Sequence, residues 1–233
     1  MAATCPALEA TNLARGYGDR WAVSGINLRL ATGRSLLLAG PNGSGKTTLL
    51  RLLATTLQPN EGRLQVLGKN PTDDAMAARR PIALLTHRTQ LYNELTALEN
   101  LEVSARLLGL KPDKQRSTAL LERVGLSGRG QHRARTFSAG MRKRLAFARI
   151  LLQDPQIVLL DEPYGQLDPS GFGFVDKLVE ELRRQGKTLV LSTHLLDRAA
   201  PTLDSGLILK GGRMAWVGPA RDLPAAYAHE THP

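Results

Sequence analysis

The sequence contains little of three features that mark particular classes of protein. Cys5 is the single cysteine among 233 residues, so the chain cannot form an internal disulfide, which fits a reducing compartment. No apolar run approaches the roughly 18 residues that a membrane-spanning helix needs. The first twelve residues lack the apolar core of a secretory signal. These absences favour a protein that works in the cytoplasm.

Aromatic and acidic residues are also scarce or unevenly distributed. The chain has two tryptophans, four tyrosines and four phenylalanines, few for a protein that stacks single-stranded bases. Acidic residues are absent from positions 123 to 153, and the formal net charge is +10. The basic residues of this stretch are Arg123, Arg129, Arg133, Arg135, Arg142, Lys143, Arg144 and Arg149. Such a face can meet nucleic acid, anionic lipid or nucleotide phosphates, or can serve solubility alone.

The composition that remains suits a folded core, with 42% hydrophobic and 22% charged residues. Its most informative stretch is residues 40–48, which fit the phosphate-binding pattern G-x-x-x-x-G-K-[ST]. The apolar run 35–39 before it predicts a buried parallel strand, and residues 48–56 after it predict a helix with an apolar face. This strand–loop–helix order separates the motif from a chance match in a glycine-rich turn.

The residue types of this loop suit phosphate chemistry. Glycines let backbone N–H groups approach phosphate oxygens, and the helix N-terminus adds partial positive charge. Lys46 is predicted to reach the β- and γ-phosphates, and the Thr47 hydroxyl to coordinate Mg²⁺. The residues predicted to bind the nucleotide here are Gly40, Pro41, Asn42, Gly43, Ser44, Gly45, Lys46, Thr47 and Thr48.

A second apolar strand, predicted over residues 157–160, ends in Asp161 and Glu162. Asp161 stands where a second Mg²⁺-holding carboxylate belongs, acting through a coordinated water. On an extended chain Glu162 would point to the opposite face from Asp161, where it could polarise an attacking water as general base. An ordinary turn is the alternative interpretation of an Asp-Glu-Pro sequence, and the phosphate loop upstream argues against it.

Two further candidates lie elsewhere in the chain. His194 follows a predicted strand over residues 188–192 and could donate to a γ-phosphate, although a histidine at a strand end is often structural. Ser138 is a good helix N-cap before Ala139, Gly140 and Met141. The same residues could form a second anion site at the start of that helix. One nucleotide does not need two phosphate sites, but two copies packed head to tail do.

The order of predicted elements indicates an α/β fold. A period-2 pattern predicts β-structure within residues 8–30, and further strands are predicted at 63–67 and, as a buried strand, at 82–86. The chain is then helical from about residue 94 to 152, beginning at a capping-box pattern on Thr96, before strands resume. Gly211-Gly212 predicts a hairpin, and the last fifteen residues are rich in proline and alanine and are expected to be peripheral.

Taken in order, residues 40–48, 138–141, 157–162, 166–168 and His194 resemble the ABC-type ATPase cassette across nearly the whole chain. The resemblance implies one domain over residues 1–233: a P-loop NTPase, RecA-like core with an antiparallel β-subdomain (7–87 and 155–218), an inserted α-helical subdomain (88–154) and a peripheral tail (219–233). It implies ATP and Mg²⁺ as ligands and a head-to-tail homodimer. It also implies that Tyr17 stacks on adenine and that Asp168 couples the two sites.

The sequence departs from the family at two places. Where the family usually has a glutamine after the strand 82–86, this chain has His87 and Arg88. Either can occupy the position, and arginine cannot ligate a cation, so Mg²⁺ ligation there is in doubt. Ala139 and Met141 also replace the commoner glycine and glutamine, while Ser138 and Gly140 are retained.

Within the family, residues 95–101, 138–144 and 164–168 look like the haem-exporter ATP-binding subunit of the cytochrome c maturation system. That resemblance implies an ATPase on the inner face of the cell membrane, bound to integral-membrane subunits on separate chains. An ATPase for another cargo, such as a drug or lipid, is the alternative. A non-transport ABC ATPase acting on nucleic acid or ribosomes is less favoured, since such proteins commonly carry two cassettes or long arms. We therefore expect no specific nucleic acid binding.

Overall fold

The computed structural model describes residues 5–87 and 89–231. Its strands are β1 (Pro6–Tyr17), β2 (Arg20–Ala31), β3 (Ser35–Ala39), β4 (Glu61–Val66), β5 (Ile82–Leu85), β6 (Ile157–Asp161), β7 (Thr188–Ser192), β8 (Ser205–Lys210) and β9 (Arg213–Pro219). Its α-helices are α1 (Lys46–Leu53), α2 (Ala75–Arg79), α3 (Ala97–Leu107), α4 (Lys114–Arg123), α5 (Ala139–Gln153), α6 (Pro169–Arg184), α7 (Leu196–Ala199) and α8 (Leu223–Thr231).

The central sheet of the described chain has the strand order β5-β6-β7-β3-β8-β9. The first five strands in this order, β5, β6, β7, β3 and β8, pair in parallel. Strand β9 returns antiparallel to β8. Both faces are covered: Leu37 and Ala39 pack in one hydrophobic core, whereas Leu36 and Leu38 pack in another. Burial on both faces explains why these strands are continuous apolar runs. The parallel strands bring their carboxyl ends to one edge of the sheet.

The second sheet is antiparallel, with the order β2-β1-β4. It shares its core with α1 and with one face of the central sheet. The hairpin of β1 and β2 turns at Gly18 and Asp19, so Tyr17 ends a strand and pairs with Arg20.

Helices α3, α4 and α5 follow β5 and precede β6, and they pack on one another. The predicted capping box is present: Thr96 Oγ1 accepts from the Glu99 N–H at 3.2 Å, and the Thr96 N–H donates to Glu99 Oε2 at 2.7 Å. These bonds satisfy two backbone donors that a helix start otherwise leaves unpaired. No helix within residues 5–87 and 89–231 is both long and apolar enough to cross a bilayer.

The expectation of a peripheral tail from residue 219 onward is wrong for its first residues. Ala220 and Leu223 are fully buried in the core that also contains Leu37. Leu223 lies so close to Gly206 of β8 that a Cβ added at Gly206 would overlap the Leu223 side chain. Composition alone suggested a tail. Without α8, however, the face of the sheet that this helix covers would expose apolar surface to water.

Leu223→Ala is expected to lower the free energy of unfolding by about 3 kcal/mol, because it leaves a cavity in a packed core. Urea-induced unfolding measures the change. Val217→Ala is the matched control: Val217 is 58% exposed, so its truncation should cost about 0.5 kcal/mol or less. Equal effects of the two substitutions would restore the interpretation of a peripheral tail.

Candidate functional site

The phosphate loop joins β3 to α1 and depends on two close backbone approaches. Gly40 has φ 148° and Gly45 has φ 104°. A Cβ at Gly45 would overlap the Ala22 carbonyl oxygen, and one at Gly40 would overlap the Leu209 carbonyl oxygen. Only glycine allows this packing, so the loop is held against both sheets. Helix α1 begins at Lys46, two residues earlier than the pattern predicted.

Lys46 is buried at the base of this loop. Its Nζ donates to the carbonyl oxygens of Gly40 at 2.6 Å and Pro41 at 3.0 Å. Burial lowers the pKa of the Lys46 ammonium, and the charges of Glu162 and Asp161 act against that effect. The two carbonyl contacts hold the end of the Lys46 side chain at the loop, where the motif predicts phosphate contact.

Thr47 and Asp161, both predicted as Mg²⁺ ligands, are in direct contact. Thr47 Oγ1 donates to Asp161 Oδ2 at 2.7 Å. Ser192, at the end of β7, donates from Oγ to Asp161 Oδ1, also at 2.7 Å. Sequence reasoning missed Ser192, although it ends an apolar strand at the same sheet edge. The three residues bring the first turn of α1 together with the ends of β6 and β7.

Glu162 does not adopt the extended conformation that was predicted. Its φ of 49° is left-handed, so its side chain does not simply alternate with that of Asp161. Its Oε1 is buried without a hydrogen-bond partner and lies 3.3 Å from His194 Nε2. Burial raises the pKa of Glu162, while the charges of His194 and Lys46 act to lower it. The two predicted catalytic residues are thus brought together.

Ser138 and Asp168 are both helix N-caps. Ser138 Oγ accepts from the Met141 N–H at 3.2 Å, and Asp168 Oδ1 accepts from the Gly171 N–H at 3.1 Å. Both residues are exposed. The start of α5 lies beside the 166–168 segment, since a Cβ at Gly140 would contact Leu167 at 3.5 Å. Ala139, Gly140 and Met141 form the first turn of α5.

The remaining candidates lie at the periphery of this region. Tyr17 is half exposed at the end of the β1–β2 hairpin, and the Arg15 guanidinium stacks 5.3 Å from its ring centroid. The same hairpin touches the phosphate loop through Ala22. His87 is exposed just beyond β5, and Arg88 lies outside the described residues. The structure therefore adds no support for Mg²⁺ ligation at this position.

The basic stretch 123–153 is engaged mostly within the chain rather than presented as one face. Several of its arginines donate to internal acceptors: Arg123 to Glu181, Arg142 to the Phe137 carbonyl, Arg144 to the Val124 carbonyl, and Arg149 to the Gln90 carbonyl. Lys143 is fully buried. Much of the local charge thus has a structural role.

Comparison with known proteins decides the family. A family model described as an ABC transporter matches residues 23–165, more than half of the chain. The chain belongs to the ABC transporter family. Among solved structures, an ATP-binding subunit of an ABC transporter superposes with a TM-score of 0.85 at 28% identity, covering 95% of this chain and 93% of that one. The predicted ABC ATPase fold is confirmed.

Curated relatives of this ABC ATPase are named for different roles. Daunorubicin resistance ATP-binding protein DrrA3 of Streptomyces coeruleorubidus is 38% identical over 221 residues, covering 94% of this chain and 70% of that protein. Nod factor export ATP-binding protein I of Rhizobium etli is 34% identical over 219 residues, covering 93% and 69%.

A dimeric cassette, MJ0796, in a post-hydrolysis state bound to ADP and Pi, superposes with a TM-score of 0.84 at 26% identity, covering 92% of this chain and 99% of that one. The family match and this likeness together identify the chain as an ATP-binding, ATP-hydrolysing subunit of the ABC transporter type.

Gly45→Ala should weaken both folding and nucleotide binding more than Gly43→Ala. Both glycines are left-handed, with φ 104° and 79°, so both variants carry a backbone penalty of about 1 kcal/mol. A Cβ at Gly43 meets nothing within 4 Å, whereas one at Gly45 meets the Ala22 carbonyl. Urea unfolding and calorimetric titration with a non-hydrolysable ATP analogue measure the difference. Equal losses would contradict the close approach of the loop to β2.

Proposed function

We propose that this ABC ATPase is the motor subunit of an exporter, working as a head-to-tail homodimer on integral-membrane subunits at the cytoplasmic face of the membrane. One observation carries the proposal: the first turn of α1 and the ends of β6 and β7 hold Thr47, Asp161, Glu162 and His194 at one edge of the central sheet. These residues are the parts that hydrolysis of a bound nucleoside triphosphate requires.

The residues present fit ATP with Mg²⁺. In the proposed complex, backbone N–H groups of residues 40–48 hold the phosphates, and Lys46 turns from the loop carbonyls toward the β- and γ-phosphates. The hydroxyl of Thr47 and the carboxylate of Asp161 would hold Mg²⁺, because hard oxygen ligands suit that ion. The bound ion would neutralise phosphate charge. The exposed ring of Tyr17 is proposed to stack on adenine.

Hydrolysis is proposed to use Glu162 as general base. Its unpaired Oε1 would accept a proton from water as that water attacks the γ-phosphorus, and the bond to the bridging oxygen of ADP would break. His194 would donate to the γ-phosphate from its position beside Glu162. The start of α5, with Ser138 to Met141, would close over the nucleotide of the second copy, and Asp168 would couple the two sites.

The cargo is the finer part of the proposal. The haem-exporter resemblance of residues 95–101, 138–144 and 164–168 favours haem, whereas the relatives named for daunorubicin resistance and Nod factor export favour another cargo, such as a drug. An export role is named for the Nod factor relative and is implied by the haem-exporter resemblance. Affinity purification of the chain from membranes, with the integral subunits identified and assayed for haem and anthracycline transport, distinguishes the two cargoes.

Glu162→Gln is expected to bind ATP with nearly unchanged affinity, to trap the closed dimer and to lose turnover by about 100-fold or more. Lys46→Ala should instead lose nucleotide binding itself. Phosphate release, ATP-analogue titration and size-exclusion chromatography with ATP measure these properties. Substantial turnover by Glu162→Gln would remove Glu162 as the base, and unchanged affinity in Lys46→Ala would count against the phosphate-loop assignment.

A further inference from the structure

Lys143, in the second turn of α5, is buried to an unusual degree for a lysine, with 1% of its surface exposed. An ammonium loses its hydration on burial and is seldom found there without a partner. Burial lowers the pKa of Lys143 to about 8, against the opposing charges of Asp161 and Glu162. An apolar side chain of similar length would fill this space without that penalty.

The partner of Lys143 is the backbone of Glu162. Lys143 Nζ donates to the Glu162 carbonyl oxygen at 2.9 Å, and the Gly165 N–H donates to the same oxygen at 3.1 Å. The Glu162 N–H donates in turn to the Ser192 carbonyl at 3.0 Å. Both backbone polar groups of Glu162 are therefore held, by α5, by β7 and by the loop that follows β6.

Glu162 needs this support because of its conformation. A left-handed backbone is unfavourable for a residue that has a Cβ, and such a conformation persists only where the surroundings impose it. The same conformation sets the direction of the side chain, whose Oε1 lies 3.3 Å from His194 Nε2. The bond from Lys143 thus acts on the residue whose carboxylate must be placed accurately.

We propose that Lys143 is a positioning residue for hydrolysis: its ammonium holds the Glu162 carbonyl and so keeps the carboxylate where it can act on water. The inference rests on the function proposed above for Glu162. Lys143 follows Ser138 by five residues, roughly 7.5 Å along α5. Helix α5 therefore contacts the proposed general base, Glu162, of its own nucleotide site. The start of the same helix is the segment that is proposed to close on the partner's nucleotide.

Lys143→Met removes the donor and the charge while keeping the length of the side chain. For the full chain we expect the kcat of ATP hydrolysis to fall on the order of 100-fold, since small displacements of a reacting group have effects of that size. The KM for ATP should stay within about twofold, because the phosphate loop is untouched. Lys143→Gln, which retains an N–H donor, should recover part of the lost kcat.

Arg144→Met is the matched control on the same helix. It also removes one positive charge and one bond to a carbonyl, from Arg144 Nη1 to Val124 at 2.9 Å, but it does not touch Glu162. We expect its kcat to stay close to that of the wild-type chain. Urea unfolding of each variant separates catalytic loss from loss of folded protein. If Lys143→Met does not fold, kcat and KM are compared with those of the wild-type chain for Lys143→Gln and Lys143→Arg instead.

A folded Lys143→Met variant with wild-type kcat, or with a raised KM at constant kcat, would overturn this inference alone. A wild-type chain without ATPase activity, or undiminished turnover in Glu162→Gln, would instead overturn the proposed function, and this inference with it. A kcat loss confined to the Lys143 variants supports the positioning role.

Discussion

The candidate site depends on the contact between Asp161 and its two hydroxyl donors, Thr47 and Ser192, each at 2.7 Å. These residues come from three separate stretches of the chain and meet because β7 lies between β3 and β6 in a parallel sheet. Strands about 4.8 Å apart with aligned carboxyl ends bring short side chains within reach of one another. Ligand sites of open α/β sheets form at this edge for the same reason.

The two sides of the central sheet serve different purposes. One core joins the sheet to α1 and the antiparallel sheet, and it fixes the phosphate loop between Ala22 and Leu209. The other joins the sheet to the inserted helices and to α6 and α8. Because α5 belongs to this second core and also contacts Glu162 through Lys143, a movement of the inserted helices would act directly on the proposed base.

Much of the fold and part of the site could be predicted from local patterns. The capping box at Thr96, the strand before the phosphate loop and the hairpin at residues 211–212 depend on neighbours in sequence, so period and turn chemistry are sufficient to find them. The conformation of Glu162 could not be predicted, because the bonds that impose it come from Lys143 and Ser192. Lys143 itself looked like one more member of a basic stretch, since burial of a charge depends on distant packing.

Local patterns were sufficient to predict the family, the phosphate loop and the order of most strands and helices, because those properties are carried by contiguous residues and their spacing. The folded structure was needed to show which basic residues are internal, that Leu223 belongs to the core, and that Glu162 turns toward His194. Each of these depends on contacts between elements far apart in the chain. Burial and long-range hydrogen bonds therefore bring the separate sequence motifs together into a single site.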